Sequence, residues 1–94
     1  MDDIDIDAAL AGLEGWEPAR EGRAIARRFA FRDFAAAVET ANLAAWLGNR
    51  RNHHPDVAFG WGYCTVTFTT HDAGGVTARD IDCARRLNAL MAED

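Results

Sequence analysis

The strongest constraint on the fold lies between Val57 and Phe68. Val57, Phe59 and Trp61 share one parity; Cys64, Val66 and Phe68 share the other, and Thr65, Thr67 and Thr69 alternate with them. Period-two alternation makes a half-buried strand, and two such runs joined around Gly62 and Tyr63 make a hairpin. A register centred there sets Val57 opposite Phe68, Phe59 opposite Val66 and Trp61 opposite Cys64, all on one face. A one-residue slip would turn every apolar side chain to the other face. Run outward to the open end, the same register sets His54 opposite His71.

The rest of the chain supplies partners for this hairpin. Ile6, Ala9, Leu10 and Leu13 form one face of a helix, with Asp2, Asp3, Asp5 and Asp7 crowding its start and Gly15 as a stop signal. Trp16, Glu17 and Pro18 predict a short edge strand, because Pro18 has no N–H to donate. Arg20 to Gly22 read as a turn and Arg23 to Phe31 as a strand. Asp33 to Gly48 has no proline or internal glycine and predicts a helix. Phe34, Ala37, Val38, Ala41, Ala44 and Ala45 line one side of it; Ala36, Leu43 and Leu47 lie nearly opposite. A helix apolar on two sides needs the sheet and one further partner, a neighbouring helix or a second subunit. Asp72 to Gly75 make a loop. Thr77 to Asp80 have the form of a capping box, and a last helix runs to about Met91 with Ile81, Ala84, Leu87 and Leu90 inward. The order α-β-β-α-β-β-α predicts a two-layer α+β domain with a four-stranded antiparallel sheet and three helices on one face.

Composition narrows the function. The 94 residues suffice for one domain, spanning 1–94, with a modest core. The net charge is −5 and all ten basic residues are arginine, which argues against general binding of nucleic-acid backbone. Arg20, Arg23, Arg27 and Arg28 read as a solvated strand edge. Cys64 and Cys83 form no C-x-x-C pair, so neither a disulfide framework nor a cysteine zinc site is indicated. No apolar run is long enough for a membrane helix, and the acidic start is unlike a secretory signal. A cytoplasmic setting is expected. The tryptophans, Trp16, Trp46 and Trp61, read as core, with Trp61 alternatively bordering a flat aromatic substrate.

His53, His54 and His71 are the chain's three histidines. Imidazole is the side chain best suited to proton transfer near neutral pH, and two such groups in one cleft can divide into acid and base. Asp56 and Asp72 adjoin them. Read from the residues alone, three roles stand side by side: surface packing, proton transfer and metal ligation. The spacing lacks the usual zinc pattern. Asp80 reads first as a helix cap and second as an orienting acid.

His53-His54-Pro55, then five residues to Trp61, nine to His71 and eight to Asp80 resembles the signature of the pterin-4a-carbinolamine dehydratase family. The run Thr70 to Asp80 resembles its second motif, and Arg28 to Phe34 its strand-to-helix junction. The resemblance covers nearly the whole chain. It implies three helices on a four-stranded sheet, a homodimer or homotetramer, and dehydration of 4a-hydroxytetrahydropterin to quinonoid dihydropterin. The pterin is the substrate, and neither cofactor nor metal is implied. By resemblance His53, His54 and His71 are catalytic and substrate-binding, and Asn52, Pro55, Thr69, Thr70 and Asp72 are pocket neighbours. Asn49 stands where the family usually has Glu, one helical turn before His53, within reach of the cluster. Animal members of the family also stabilise a transcription-factor dimer, so a protein-binding module is the alternative reading.

Overall fold

The first helix begins at its cap. In the computed structural model, which describes residues 5–92, Asp5 Oδ1 accepts from the Ala8 N–H and opens α1 (Ile6–Leu10). Asp2 and Asp3 lie outside the described residues. The helix is shorter than its apolar spacing implies, but Leu13 and Trp16, just beyond it, are both buried. The chain then forms β1 (Glu17–Ala19), a 3-10 turn at Arg20–Gly22 and β2 (Ala24–Ala30). Asp33 caps α2 (Phe34–Arg51) through the Ala36 N–H. Next come β3 (Asp56–Gly60), β4 (Tyr63–Phe68), a 3-10 turn at His71–Ala73 and α3 (Ala78–Met91). The sheet order is β1-β2-β4-β3, antiparallel throughout. Ile25 and Phe29 of β2 and Cys64, Val66 and Phe68 of β4 carry the buried face of the sheet, against Ala37, Ala41, Ala44 and Leu47 of α2 and Ile81, Ala84 and Leu87 of α3. This is the expected α+β architecture.

Four expectations are corrected. The hairpin turns at Trp61–Gly62, so Val57 pairs with Val66, Phe59 with Cys64 and Gly60 with Tyr63. Gly62 adopts φ +87°, the conformation that glycine takes without a Cβ penalty. A slip of two residues keeps every side chain on its face, so the apolar alternation is the same in both registers. Trp61 therefore caps the turn, 71% exposed, instead of pairing with Cys64.

The middle helix is rotated from its expected phase. Thr40, Leu47 and Gly48 join Ala37, Ala41 and Ala44 in facing the core, while Phe34 and Ala45 face out. Leu43 is partly buried against the core. Leu43 and Leu47 thus form no spare apolar face. Trp46 is the third correction, half exposed where a core position was expected.

Arg27 also departs from a plain solvated edge. Its guanidinium lies 4.3 Å from the Phe29 ring centroid, and its Nη1 donates to Asn88 Oδ1 at 2.7 Å, tying β2 to α3. Trp16 Nε1 donates to the same oxygen at 2.8 Å.

Candidate active site

The end of α2 sets the position of the histidines. Asn52 follows the helix in the left-handed conformation, φ 52° and ψ 43°, a usual way to end a helix. The His53 N–H then donates back to Gly48 O at 3.0 Å. Gly48 is buried, and a Cβ there would stand 2.8 Å from Pro55 Cδ. Glycine thus lets Pro55 pack directly on the helix. Pro55 also keeps His54 extended, and the chain leaves directly into β3.

From the other side, β4 ends at Phe68 and delivers Thr69, Thr70 and His71. The turn is closed by paired bonds between Thr70 and Gly75. Asn52, His53, His54, Thr69, Thr70, His71 and Asp72 line one concavity of about 250 Å³. That is just below the usual range for small-molecule pockets. The observed strand register does not set His54 opposite His71, yet both rings reach this concavity from the two chains leaving the open end of the hairpin. Pro55 stands behind the lining. Trp61 does not belong to the site. It sits at the other end of β3, about 17 Å away at the usual rise per residue.

Asp80 is more than a helix cap. Its carboxylate is wholly buried, with Oδ1 2.5 Å from His53 Nε2. Oδ2 accepts from the Thr70 hydroxyl and the Thr77 N–H, both at 2.8 Å. A carboxylate has only acceptors to offer, so His53 Nε2 carries the proton and donates it to Oδ1. Nδ1 is then the ring nitrogen left to accept a hydrogen bond, the usual consequence of orienting one imidazole nitrogen. The His53 ring lies parallel to Phe68, with centroids 6.1 Å apart, and is nearly buried. Every buried side-chain polar atom among the described residues has a partner.

Asn49 reaches the cluster. Its Oδ1 lies 2.9 Å from His54 Nε2, which donates to it. His54 and His71 are both exposed. Arg79 also lines the concavity, and its Nη2 donates to Asn52 O at 2.8 Å. Sequence reasoning passed over Arg79. The available signal was a cation in the first turn of a helix, where the dipole disfavours it, beside Asp80. Among the described residues no three His, Cys, Asp or Glu side chains converge as a metal-binding set.

Residues 1–90 match the family described as Pterin 4 alpha carbinolamine dehydratase. The chain belongs to that family. A relative from Paracoccus denitrificans (strain Pd 1222), provisionally named a pterin-4-alpha-carbinolamine dehydratase, is 49% identical over 85 residues, covering 90% of this chain and 79% of its own. A second with the same provisional name, from Rhodopseudomonas palustris (strain BisB18), is 45% identical over 93 residues, covering 99% and 92%. The crystal structure of a transcriptional coactivator/pterin dehydratase from Brucella melitensis superposes with a TM-score of 0.84 at 34% identity, covering 96% of both chains. A pterin dehydratase-like RuBisCO assembly factor of the alpha-carboxysome shares the fold, with a TM-score of 0.69 at 22% identity over 86% of this chain and 94% of its own. The dehydratases of this family are hydro-lyases, and this chain is placed among them. Among the described residues no helix is long and apolar enough to cross a membrane.

Proposed function

We propose that this dehydratase removes water from 4a-hydroxytetrahydropterin to give quinonoid dihydropterin, with the histidine concavity as its active site. The observation that carries this reading is the convergence of His53, His54 and His71 on one pocket, with His53 held by a buried carboxylate. The reaction breaks the bond between C4a and its hydroxyl, which leaves as water after gaining a proton. The ring N–H beside that carbon gives up its proton, and its electrons form the new C=N bond. Two proton movements at neighbouring positions, the C4a hydroxyl and the adjacent ring N–H, call for one acid and one base. His54 and His71, exposed to the pocket from different chain segments, fill these roles. His53 is fixed by Asp80 and presents Nδ1 at the pocket wall. Asn52, Thr69, Thr70, Asp72 and Arg79 supply hydrogen bonds to the pterin edges.

Addition of the protein to freshly generated 4a-hydroxytetrahydropterin is expected to accelerate the loss of water above the spontaneous rate. The acceleration is expected to be the same after dialysis against a chelator, since the chemistry assigned here uses protons alone. Loss of activity in chelator, restored by zinc, would contradict that assignment.

Asn49 supports a second reading, an oligomeric protein-binding module with weak turnover. A neutral amide cannot stabilise an imidazolium by charge, whereas a carboxylate can. The printed name of the Brucella melitensis structure includes a coactivator role, which fits such a module. The Asn49→Glu variant separates the two readings. Its carboxylate, beside His54, favours the charged ring, so the limb of the pH–rate profile that His54 sets is expected to move to higher pH. Superimposable profiles would remove position 49 from the chemistry.

Self-association and a cytoplasmic setting complete the proposal. Both cysteines are buried and unpaired, as a reducing compartment allows. β3 is an edge strand, and Phe59 on it lies 6.0 Å from Phe34, both rings partly exposed. An unpaired edge with apolar neighbours is a template for a second copy. Light scattering is expected to give a multiple of the 10.3 kDa chain mass, and Phe59→Glu is expected to lower it. A monomer mass for the unaltered chain would refute this.

A further inference from the structure

The helix layer carries a second concavity that dehydration does not use. Trp46, Arg50 and Arg51 of α2 and Arg86 and Leu90 of α3 border a groove of about 330 Å³, with Leu47 at its floor. It shares no lining residue with the histidine concavity. Two of the three guanidiniums here meet one carboxylate. Asp82 Oδ2 accepts from Arg86 at 3.0 Å and from Arg51 at 3.1 Å. The Arg86 hydrogen bond, with the charges of Arg86 and Arg51, holds the Asp82 carboxyl below its ordinary range, a sign of the local positive field. Arg50 has no acidic partner among the described residues. Its guanidinium lies 5.3 Å from the Trp46 ring centroid, and Trp46 is half exposed. The groove is therefore basic on a chain whose net charge is −5.

We propose that this groove docks an acidic segment of another protein, one of whose apolar side chains rests on Leu47, Leu90 and the Trp46 edge while its carboxylates face Arg50, Arg51 and Arg86. Charge complementarity selects the occupant. Helix-lined grooves receive apolar anchors in this way. A nucleotide or RNA fits less well. Arg50 already covers one face of the indole, the unpaired polar groups on the rim are all donors, and the acidic remainder of the chain repels a phosphate backbone.

The test titrates the full-length protein into a fluorescein-labelled acetylated peptide of Asp and Glu with one central Leu. Binding is expected at low salt and is expected to weaken severalfold at physiological salt. Arg50→Glu combined with Arg86→Glu is expected to weaken it at least about tenfold. Arg32→Glu, an exposed arginine outside the groove, is expected to leave it unchanged. The matching peptide with Asn and Gln, and the one with Ser for Leu, are both expected to bind more weakly. No binding at low salt, equal binding of the Asn and Gln peptide, or indifference to the double charge reversal would overturn the proposal. So would binding of a single-stranded oligonucleotide, in preference to the peptide, that depends on Arg50.

Discussion

His53→Ala is expected to destabilise the fold by about 3 kcal/mol or more, because it leaves Oδ1 of the wholly buried Asp80 carboxylate without its hydrogen-bond donor. Domains of this kind are stable by only about 5–15 kcal/mol, so the loss will show as a large fall in the denaturation midpoint. The opposite change is comparably severe. Asp80→Ala removes the charge, strands the Thr70 hydroxyl and the Thr77 N–H, and takes away half of the capping box. At about 1–3 kcal/mol per stranded buried group, it is still a serious lesion. His54→Ala and His71→Ala, at exposed positions, are expected to change stability by no more than about 0.5 kcal/mol. Urea melts of the four variants check this ordering. If His53→Ala is as stable as His54→Ala, then the short bond to Asp80 does not stabilise the fold.

Activity is expected to separate the same residues differently. His54→Ala and His71→Ala are each expected to lower kcat/KM by about 10²-fold or more, the scale of a positioned proton-transfer group. The double variant is expected to be little worse than either single one, since residues that act as a unit fail together. The two variants also discriminate between acid and base. If His54 is the base, it sets the acid limb of the pH–rate profile, and His54→Ala removes the limb that Asn49→Glu is expected to shift. If His54 is the acid, Asn49→Glu shifts the alkaline limb instead, and the acid limb, set by His71, survives in His54→Ala and is lost in His71→Ala.

The elements were legible because each rests on local chemistry: the capping pair Thr77 and Asp80, the alternation from Val57 to Phe68, the proline in β1. What was not legible has specific causes. The hairpin register depends on which residues make the turn, and a two-residue slip leaves the apolar pattern untouched; only the left-handed preference of Gly62 decides. The phase of α2 is blurred because alanine recurs all round the helix. Thr40, buried by donating to Ala36 O at 3.0 Å, does not look like core in a sequence.

At the site, the three histidines and Asn49 were visible as candidates from motif and spacing, and the structure brings them to one place. The bond from His53 to Asp80 was not visible. It joins residues 27 apart through the packing of α3 against β4, and the sequence offered Asp80 as a cap and an orienting acid without indicating which ring it orients. One carboxylate serves both purposes: Oδ2 closes the helix terminus while Oδ1 orients the ring. Trp61 shows the converse. Its place in the recognised spacing suggested a substrate contact, yet that spacing leads it to the far turn of the hairpin.

The central claim is that the histidine concavity dehydrates a pterin carbinolamine. It is tested most directly by following one preparation of 4a-hydroxytetrahydropterin, in parallel, with buffer, with the unaltered protein and with the folded His54→Ala/His71→Ala variant. The account predicts rapid appearance of quinonoid dihydropterin with the unaltered protein and a rate near that of buffer with the variant. An unaltered protein no faster than buffer, or a double variant as fast as the unaltered protein, would contradict it.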